Sequence, residues 1–275
     1  MVTGMYEIND KINKIFINEG ICCVGVIPAC EMMVINPRLI PDADIKSCIV
    51  FLVPYKTDDF AEDTLGVSVY ARAMDYHIYF DRLFGRIISL LEGVFEGERF
   101  FGFADHSPIN EKLAAARAGL GVFGRNSLLI NDVYGSYVFI GSLLTTLDIP
   151  AIPCEIGSCI GCSLCVSACP TGAVADRGII AERCLSYISQ KKNKSDEEKQ
   201  LLKENKTVWG CDICQSICTL NKNKKLTEID FFRINRLNNI TEDIINSMPD
   251  DIFRSYPFSW RGKENLLQNI RNGAK

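Results

Sequence analysis

Cys159-Ile160-Gly161-Cys162-Ser163-Leu164-Cys165-Val166-Ser167-Ala168-Cys169-Pro170 sets four cysteines at intervals of two, two and three residues and closes on proline. Loops this short let backbone amides turn toward a shared sulfur-rich centre, and Pro170 directs the last thiolate away from the first three. In such a run three thiolates grip one iron–sulfur cubane and the fourth crosses to a second. Downstream, Cys211, Cys214 and Cys218 form a matching half that lacks one thiolate, and Cys184 can supply it. The crossover then assigns Cys159, Cys162, Cys165 and Cys218 to one [4Fe–4S] cluster and Cys169, Cys184, Cys211 and Cys214 to the other.

This is the spacing of a bacterial ferredoxin-like double-cluster module, whose task is to move electrons one at a time. The alternatives are zinc sites or a disulfide framework. Zinc usually takes two separated C-x2-C pairs rather than four ligands packed this tightly before a proline, so spacing favours the clusters. Of the thirteen cysteines, five fall outside this set. Cys22, Cys23 and Cys48 lie in apolar stretches and are expected as small core residues, with Cys30 and Cys154 as bystanders.

The 275-residue chain is 47% hydrophobic and 23% charged, which suits one sizeable core with a smaller appended module and argues against wholesale disorder. A net charge of −4 excludes whole-molecule attraction to nucleic acid, so any RNA surface has to be a local basic patch. The first thirteen residues carry Glu7, Asp10 and Lys11 without an apolar h-region, and apolar runs such as Cys48–Pro54 are too short to span a bilayer. The expectation is a cytoplasmic protein with no membrane partner.

Outward from the cysteine run, the pattern predicts a helix over Tyr6–Asn18 and buried strands at Ile21–Ile27 and Cys48–Val53. A long helix is expected over Asp75–Phe95 and a short one over Asn110–Ala118, with strands at Ser127–Ile130 and Ser136–Leu143 joined by a turn at Asp132–Gly135. The fold class expected is α+β, with three parts: a mixed α/β domain at 1–150, the cluster module at 151–225, and a helical tail at 226–275. The polar insert Lys191–Lys206 reads as a solvated helix with paired charges in preference to a phosphate-contacting edge. Lys222, Lys224 and Lys225 form a second basic group.

A plain carrier has no need of some 150 upstream residues, which are therefore expected to hold the electron acceptor. Here Ala104-Asp105-His106-Ser107-Pro108-Ile109-Asn110-Glu111-Lys112, running into Ala116-Arg117-Ala118-Gly119-Leu120-Gly121-Val122-Phe123-Gly124-Arg125-Asn126, resembles the cobalamin-domain signature of epoxyqueuosine reductases. Asp75-Tyr76-His77, Tyr134-Gly135-Ser136-Tyr137-Val138, Arg183-Cys184-Leu185-Ser186-Tyr187 and Gly210-Cys211-Asp212-Ile213-Cys214-Gln215 match that family in order, as does Ser259-Trp260-Arg261-Gly262 near the end. The resemblance is to a short form that stops at Lys275 without the family's C-terminal helical repeats. It departs from the usual pattern at His106, Ser107 and Thr219.

The resemblance implies reduction of an epoxide on a modified base in the tRNA anticodon loop to an alkene, with loss of water. Base-off cobalamin would lie between the upstream domain and the cluster module, and an unidentified low-potential donor would feed the clusters. It implies Asp105 as the acid that protonates the departing oxygen, since an alkoxide is a poor leaving group. Such an aspartate needs desolvation or a negative neighbour to keep its proton near neutral pH. The competing role for Asp105 is a cap for the helix near Asn110. Cobalamin contacts would fall at Leu129, Ile140, Ser186 and Asp212, several through the main chain, and neither histidine, His77 or His106, is required as a cobalt ligand. Other functions compatible with the residues are a cobalamin-dependent reductase of a small molecule and a non-enzymatic double-cluster carrier.

Overall fold

The unbroken apolar run at 48–53 becomes the spine of a sheet. The structure, a computed structural model, describes residues 2–57, 66–175, 178–234, 236–237 and 239–273. Its contacts divide the chain into unit one (Met1–Pro54, Tyr79–Gly124 and Leu128–Cys159) and unit two (Tyr55–Ile78, Arg125–Ser127 and Ile160–Lys275).

Unit one contains α1 (Val2–Asn18), β1 (Cys23–Pro28), β2 (Ser47–Pro54), most of α2 (Tyr76–Val94), β3 (Phe100–Phe103), α3 (Glu111–Arg117), β4 (Val122–Phe123), β5 (Leu129–Ile130) and β6 (Val138–Thr145). Four strands form an antiparallel sheet in the order β1-β2-β6-β3. Alternate residues of a strand point to opposite faces, so a strand covered on both sides reads as continuously apolar. Every residue of β2 is buried. On one face Phe51 meets Phe16 of α1, with ring centroids 5.0 Å apart, and Phe80 and Phe84 of α2, each at 6.1 Å. On the other, Cys48, Val50 and Leu52 pack with Ala114, Ala115 and Ala116 of α3.

Gly141 of β6 pairs with Phe51, and a Cβ there would lie 2.4 Å from the Phe51 ring. The absence of a side chain at 141 is thus what admits the aromatic ring. Truncating Phe51 to alanine should cost about 3–5 kcal/mol by leaving a hole between sheet and helices. A urea unfolding midpoint that stays where it was would show that this ring cluster is not the core.

The turn expected after β5 is present, closed by Asn131 and Gly135 exchanging 2.9 Å backbone hydrogen bonds. The strands it joins belong to different sheets, because β5 pairs only with β4 while β6 lies between β2 and β3. Cys48 is fully buried as expected. Cys22 is not: the turn at Gly20 delays β1 until Cys23, so Cys22 is exposed, with its sulfur 3.2 Å from the Tyr134 hydroxyl.

Unit two contains α4 (Leu164–Ala168), β7 (Val174–Ala175), β8 (Gly178–Ile179), α5 (Leu185–Gln190), α6 (Asp196–Glu204), α7 (Ile213–Ser216), α8 (Asp230–Arg233), α9 (Glu242–Ser247), α10 (Asp250–Arg254) and α11 (Lys263–Gly273). Its core gathers Val67 and Ala71, the fully buried Trp209, and Ile245, Phe253, Phe258, Leu266 and Ile270 of the tail. Tail residues between Ile240 and Ile270 therefore share one core with Val67 and Ala71 and with Val208 and Trp209. Val67 and Trp209 form a parallel bridge, and Asn269 of α11 donates to the carbonyls of Ser189 and Val208 at 2.8 Å each.

The polar insert forms α6. Ser195 and Glu198 close a capping box at its start, Lys199 pairs with Asp196, and Lys191 pairs with Glu198. Leu202 is buried against Leu185 and Ile188 of α5. Its charges are largely paired with one another, in keeping with a solvated helix. Among the described residues, no helix is long and apolar enough to cross a membrane.

Candidate functional site

Short, sharply turned loops bring the cysteines of unit two together. Gly161 (φ 70°) and Ser163 (φ 62°) are both left-handed, which folds the chain tightly between Cys159, Cys162 and Cys165. Alternating hand of this kind makes concavities of backbone N–H groups that suit anionic sulfur centres. Around Cys169 burial opposes ionisation, but amides of Val174, Thr171 and Ala173 and the Thr171 hydroxyl outweigh it and hold the thiol below its ordinary range. Gly172, also left-handed, turns the chain back after Pro170.

The second quartet converges from three separated stretches. Cys211 lies within electrostatic reach of Cys184 and Cys169, and Cys214 within reach of Cys211 and Cys184. Burial first, and then neighbouring negative charge, push Cys211 up to about 11 and Cys214 up to about 12. Four crowded thiols are unfavourable as bare thiolates, and a polynuclear cation cluster removes that cost, so the donor set fits the group expected of it. Among the described residues, no three His, Cys, Asp or Glu side chains close on the single point that one ion needs. A cubane is held at its corners, so its thiolates need not meet at a point.

For the first quartet, Cys165 sits on α4, which packs against α7, and Cys218 follows α7 by two residues as a half-buried residue. Cys159 ends unit one, its amide donating to the Phe123 carbonyl at 2.9 Å beside the bridge between Phe123 and Ser158.

Several braces of these loops escape the cysteine count. The Asn126 amide donates to the Cys214 carbonyl at 3.3 Å and also hydrogen-bonds the Cys214 thiol, lowering its pKa against the effect of burial. Arg125 donates to the Ser163 hydroxyl. Asp212 accepts from the Ser68 hydroxyl at 2.6 Å and from the Val69 amide at 2.7 Å, and a Cβ on left-handed Gly210 would lie 2.5 Å from Ser68. Gln215 donates to the Tyr55 hydroxyl at 3.1 Å. Tyr55, Ser68, Val69, Arg125 and Asn126 thus clamp the ligand loops of their own unit. The only sequence signal for Arg125 and Asn126 is their place in the signature ending Gly124-Arg125-Asn126.

In unit one, Asp105 lies on a tight loop between β3 and α3. Its backbone is left-handed (φ 65°), its side chain is exposed, and its amide donates to Glu111 Oε2 at 3.0 Å. The loop is held from outside by the Ile35 and Asn36 amides on the Pro108 carbonyl and by the Asn110 amide on the Met33 carbonyl. Asp105 does not cap α3. Asn110 does, accepting from the Leu113 amide at 3.1 Å. Glu111 was not among the residues marked by spacing, yet it is the carboxyl whose ionisation is most opposed. Burial, helped by the Asp105 charge, pushes it up to about 8.

The four positions tied by resemblance to cobalamin divide between the units. Leu129 is buried in the core beneath α3, and Ile140 packs partly buried against the same core. In unit two, the Ser186 carbonyl accepts from the Ser189 hydroxyl and the Gln190 amide, and the Asp212 carboxylate is taken as described above. With the Leu129 side chain in the core and the Asp212 carboxylate engaged, these two positions fit the cofactor only through the main chain.

An antiparallel sheet covered by helices, in one chain with a cysteine-rich segment whose thiols converge and with a carboxyl-bearing loop, is the make-up of an iron–sulfur oxidoreductase. A family model described as a 4Fe–4S double cluster binding domain matches residues 158–221. The epoxyqueuosine reductase of Gloeobacter violaceus is 32% identical over 77% of this chain and 69% of its own length. That of Aliivibrio fischeri is 33% identical over 76% of this chain, which spans about half, 53%, of that relative. A crystal structure of epoxyqueuosine reductase with an epoxyqueuosine-modified tRNA-Tyr stem loop superimposes with a TM-score of 0.80 at 22% identity, covering 98% of this chain and 81% of that one, which shows the shared fold. The chain belongs to the epoxyqueuosine reductase family.

Proposed function

We propose that this protein reduces epoxyqueuosine to queuosine in the anticodon loop of tRNA, a cytoplasmic reaction fed by an external low-potential electron donor. The observation that carries this reading is the convergence of Cys169, Cys184, Cys211 and Cys214 from three stretches of chain, in a member of this family. When bound, the clusters supply electrons singly and cobalamin supplies the low-valent metal that reacts with the epoxide.

The chain's own residues do the rest. Eight cysteines hold the clusters, and Arg125, Asn126 and the Asp212–Ser68 contact keep the ligand loops rigid, as redox centres need if their surroundings are not to reorganise with each electron. By resemblance, Leu129, Ile140, Ser186 and Asp212 would hold the cofactor, Leu129 and Asp212 through the main chain. Asp105 delivers a proton to the departing epoxide oxygen, worth a factor of about 10²–10⁴ in rate for a well-placed acid.

The test is anaerobic reconstitution with iron, sulfide and cobalamin, followed by turnover of an epoxyqueuosine-bearing anticodon stem-loop. A shift of the visible corrinoid spectrum on titration separates an enzyme from a plain electron carrier. Corrinoid binding without any turnover of the stem-loop removes the substrate assignment.

A further inference from the structure

Glu111 is a side chain that anchors the Asp105 loop. At the first turn of α3 a glutamate ordinarily points outward and is ionised, favoured by the positive end of the helix. Here it turns back under the loop. Oε2 accepts the Asp105 amide at 3.0 Å, and Oε1 lies 3.3 Å from the Ser142 hydroxyl on β6. The Ser107 hydroxyl is a third hydrogen-bond partner.

Ser142 fixes the other end of the Glu111 carboxyl to the sheet. Its hydroxyl donates to Oε1 and lies 3.5 Å from the carbonyl of Phe103, its partner in the β3–β6 pairing. Glu111 thus spans from the Asp105 amide to β6, and burial opposes its ionisation. Two titratable groups face Glu111: the Asp105 carboxyl from the loop, whose charge opposes a second one on Glu111, and the Cys48 thiol from β2, which burial keeps neutral.

We propose that Glu111 is the positioning residue of Asp105, its neutral carboxyl tying the left-handed Asp105 backbone to β6 so that the acid is presented in one place. This rests on Asp105 being the proton donor, but the tie itself can be measured without the reaction. A left-handed backbone is a strained place for an aspartate, and tight turns run on either side of it, Ala104 to His106 and Asp105 to Ser107. Without the tie, the Asp105 amide has lost its acceptor.

The experiment is amide hydrogen exchange of the peptide spanning 103–110 in the full chain, corrected for intrinsic exchange rates. E111A should exchange at least about tenfold faster there than the parent, with the rest of unit one unchanged, because the Asp105 amide loses the hydrogen bond to Glu111. E111Q keeps a carbonyl for Asp105 and an amide for Ser142, and should stay within about threefold.

The pH dependence separates the neutral tie from simple packing. An exposed glutamate releases its proton near pH 4–5, but the closed one keeps it to about 8. Opening is therefore linked to proton release. Parental protection should fall by up to about tenfold per pH unit between those values and level off above them, whereas E111Q stays flat. Exchange in E111A equal to the parent's, or a flat profile in the parent, overturns the proposal. If D105N proves fully active while these exchange results hold, the tie stands and only the role of Asp105 falls.

Discussion

The Cys214→Ala protein, reconstituted anaerobically, should retain about four iron atoms fewer per chain than the parent and turn over at below about 1% of its rate. Cys214 lies in the most crowded part of the ligand set, facing Cys211 and Cys184 and braced by Asn126. Removing its sulfur opens one corner of a cubane whose other ligands come from separated stretches, and no spare thiol adjoins it. Cys22, Cys30 and Cys154 are all exposed cysteines outside the quartets, and Cys154→Ala is the natural control. It should keep parental iron and parental rate. Iron and sulfide analysis together with paramagnetic resonance of the reduced protein decides the matter. Full iron content in the Cys214→Ala chain would place the ligand elsewhere and break the crossed assignment.

Asn126→Ala is the milder counterpart. It leaves every sulfur in place but removes the amide that faces Cys214, so its iron content should survive while the reduction potential of one cluster moves. That separates ligand from brace.

What the chain reveals in one dimension follows what is local. The cluster run is legible because its ligands lie within eleven residues at a spacing characteristic of cubane ligation. β2 is legible because a strand covered on both faces must be apolar throughout, and α2 because its buried residues recur on one helical face. Pairings between distant stretches are not legible. Nothing in residues 66–71 announces that Val67 will lie beside Trp209, or that Phe253, Phe258 and Leu266 will complete the same core, since each is merely an apolar residue until the chain has folded. The exposure of Cys22 shows the same limit at short range, where a strand that begins two residues later than expected leaves a cysteine outside it. Glu111 is the hardest case. A glutamate at the start of a helix is the commonest of surface residues, and only the return of the 104–110 loop over it, with Ser142 from a strand thirty-one residues on, gives it a buried role. Within the family signature it stands six residues from Asp105, a spacing with no periodic meaning.

Asp105→Asn should lower the turnover number by about 10²–10⁴ with little change in stem-loop binding, cluster content or corrinoid uptake. Asparagine is the informative replacement. Asp and Asn are the side chains that best tolerate a left-handed backbone, so the φ of 65° at this position survives the change, and the amide that binds Glu111 is untouched. What disappears is the transferable proton. Alanine at 105 would instead penalise the left-handed backbone, and a loss of rate there would mix geometry with chemistry. The side chain is exposed, so the protein by itself does not desolvate Asp105, and what covers the loop during the reaction has to do so. An acid supplied by water alone would leave Asp105→Asn within about tenfold of the parent across the pH range. In that case the residue is a loop-former with no part in the proton transfer, and the departing oxygen takes its proton from solvent.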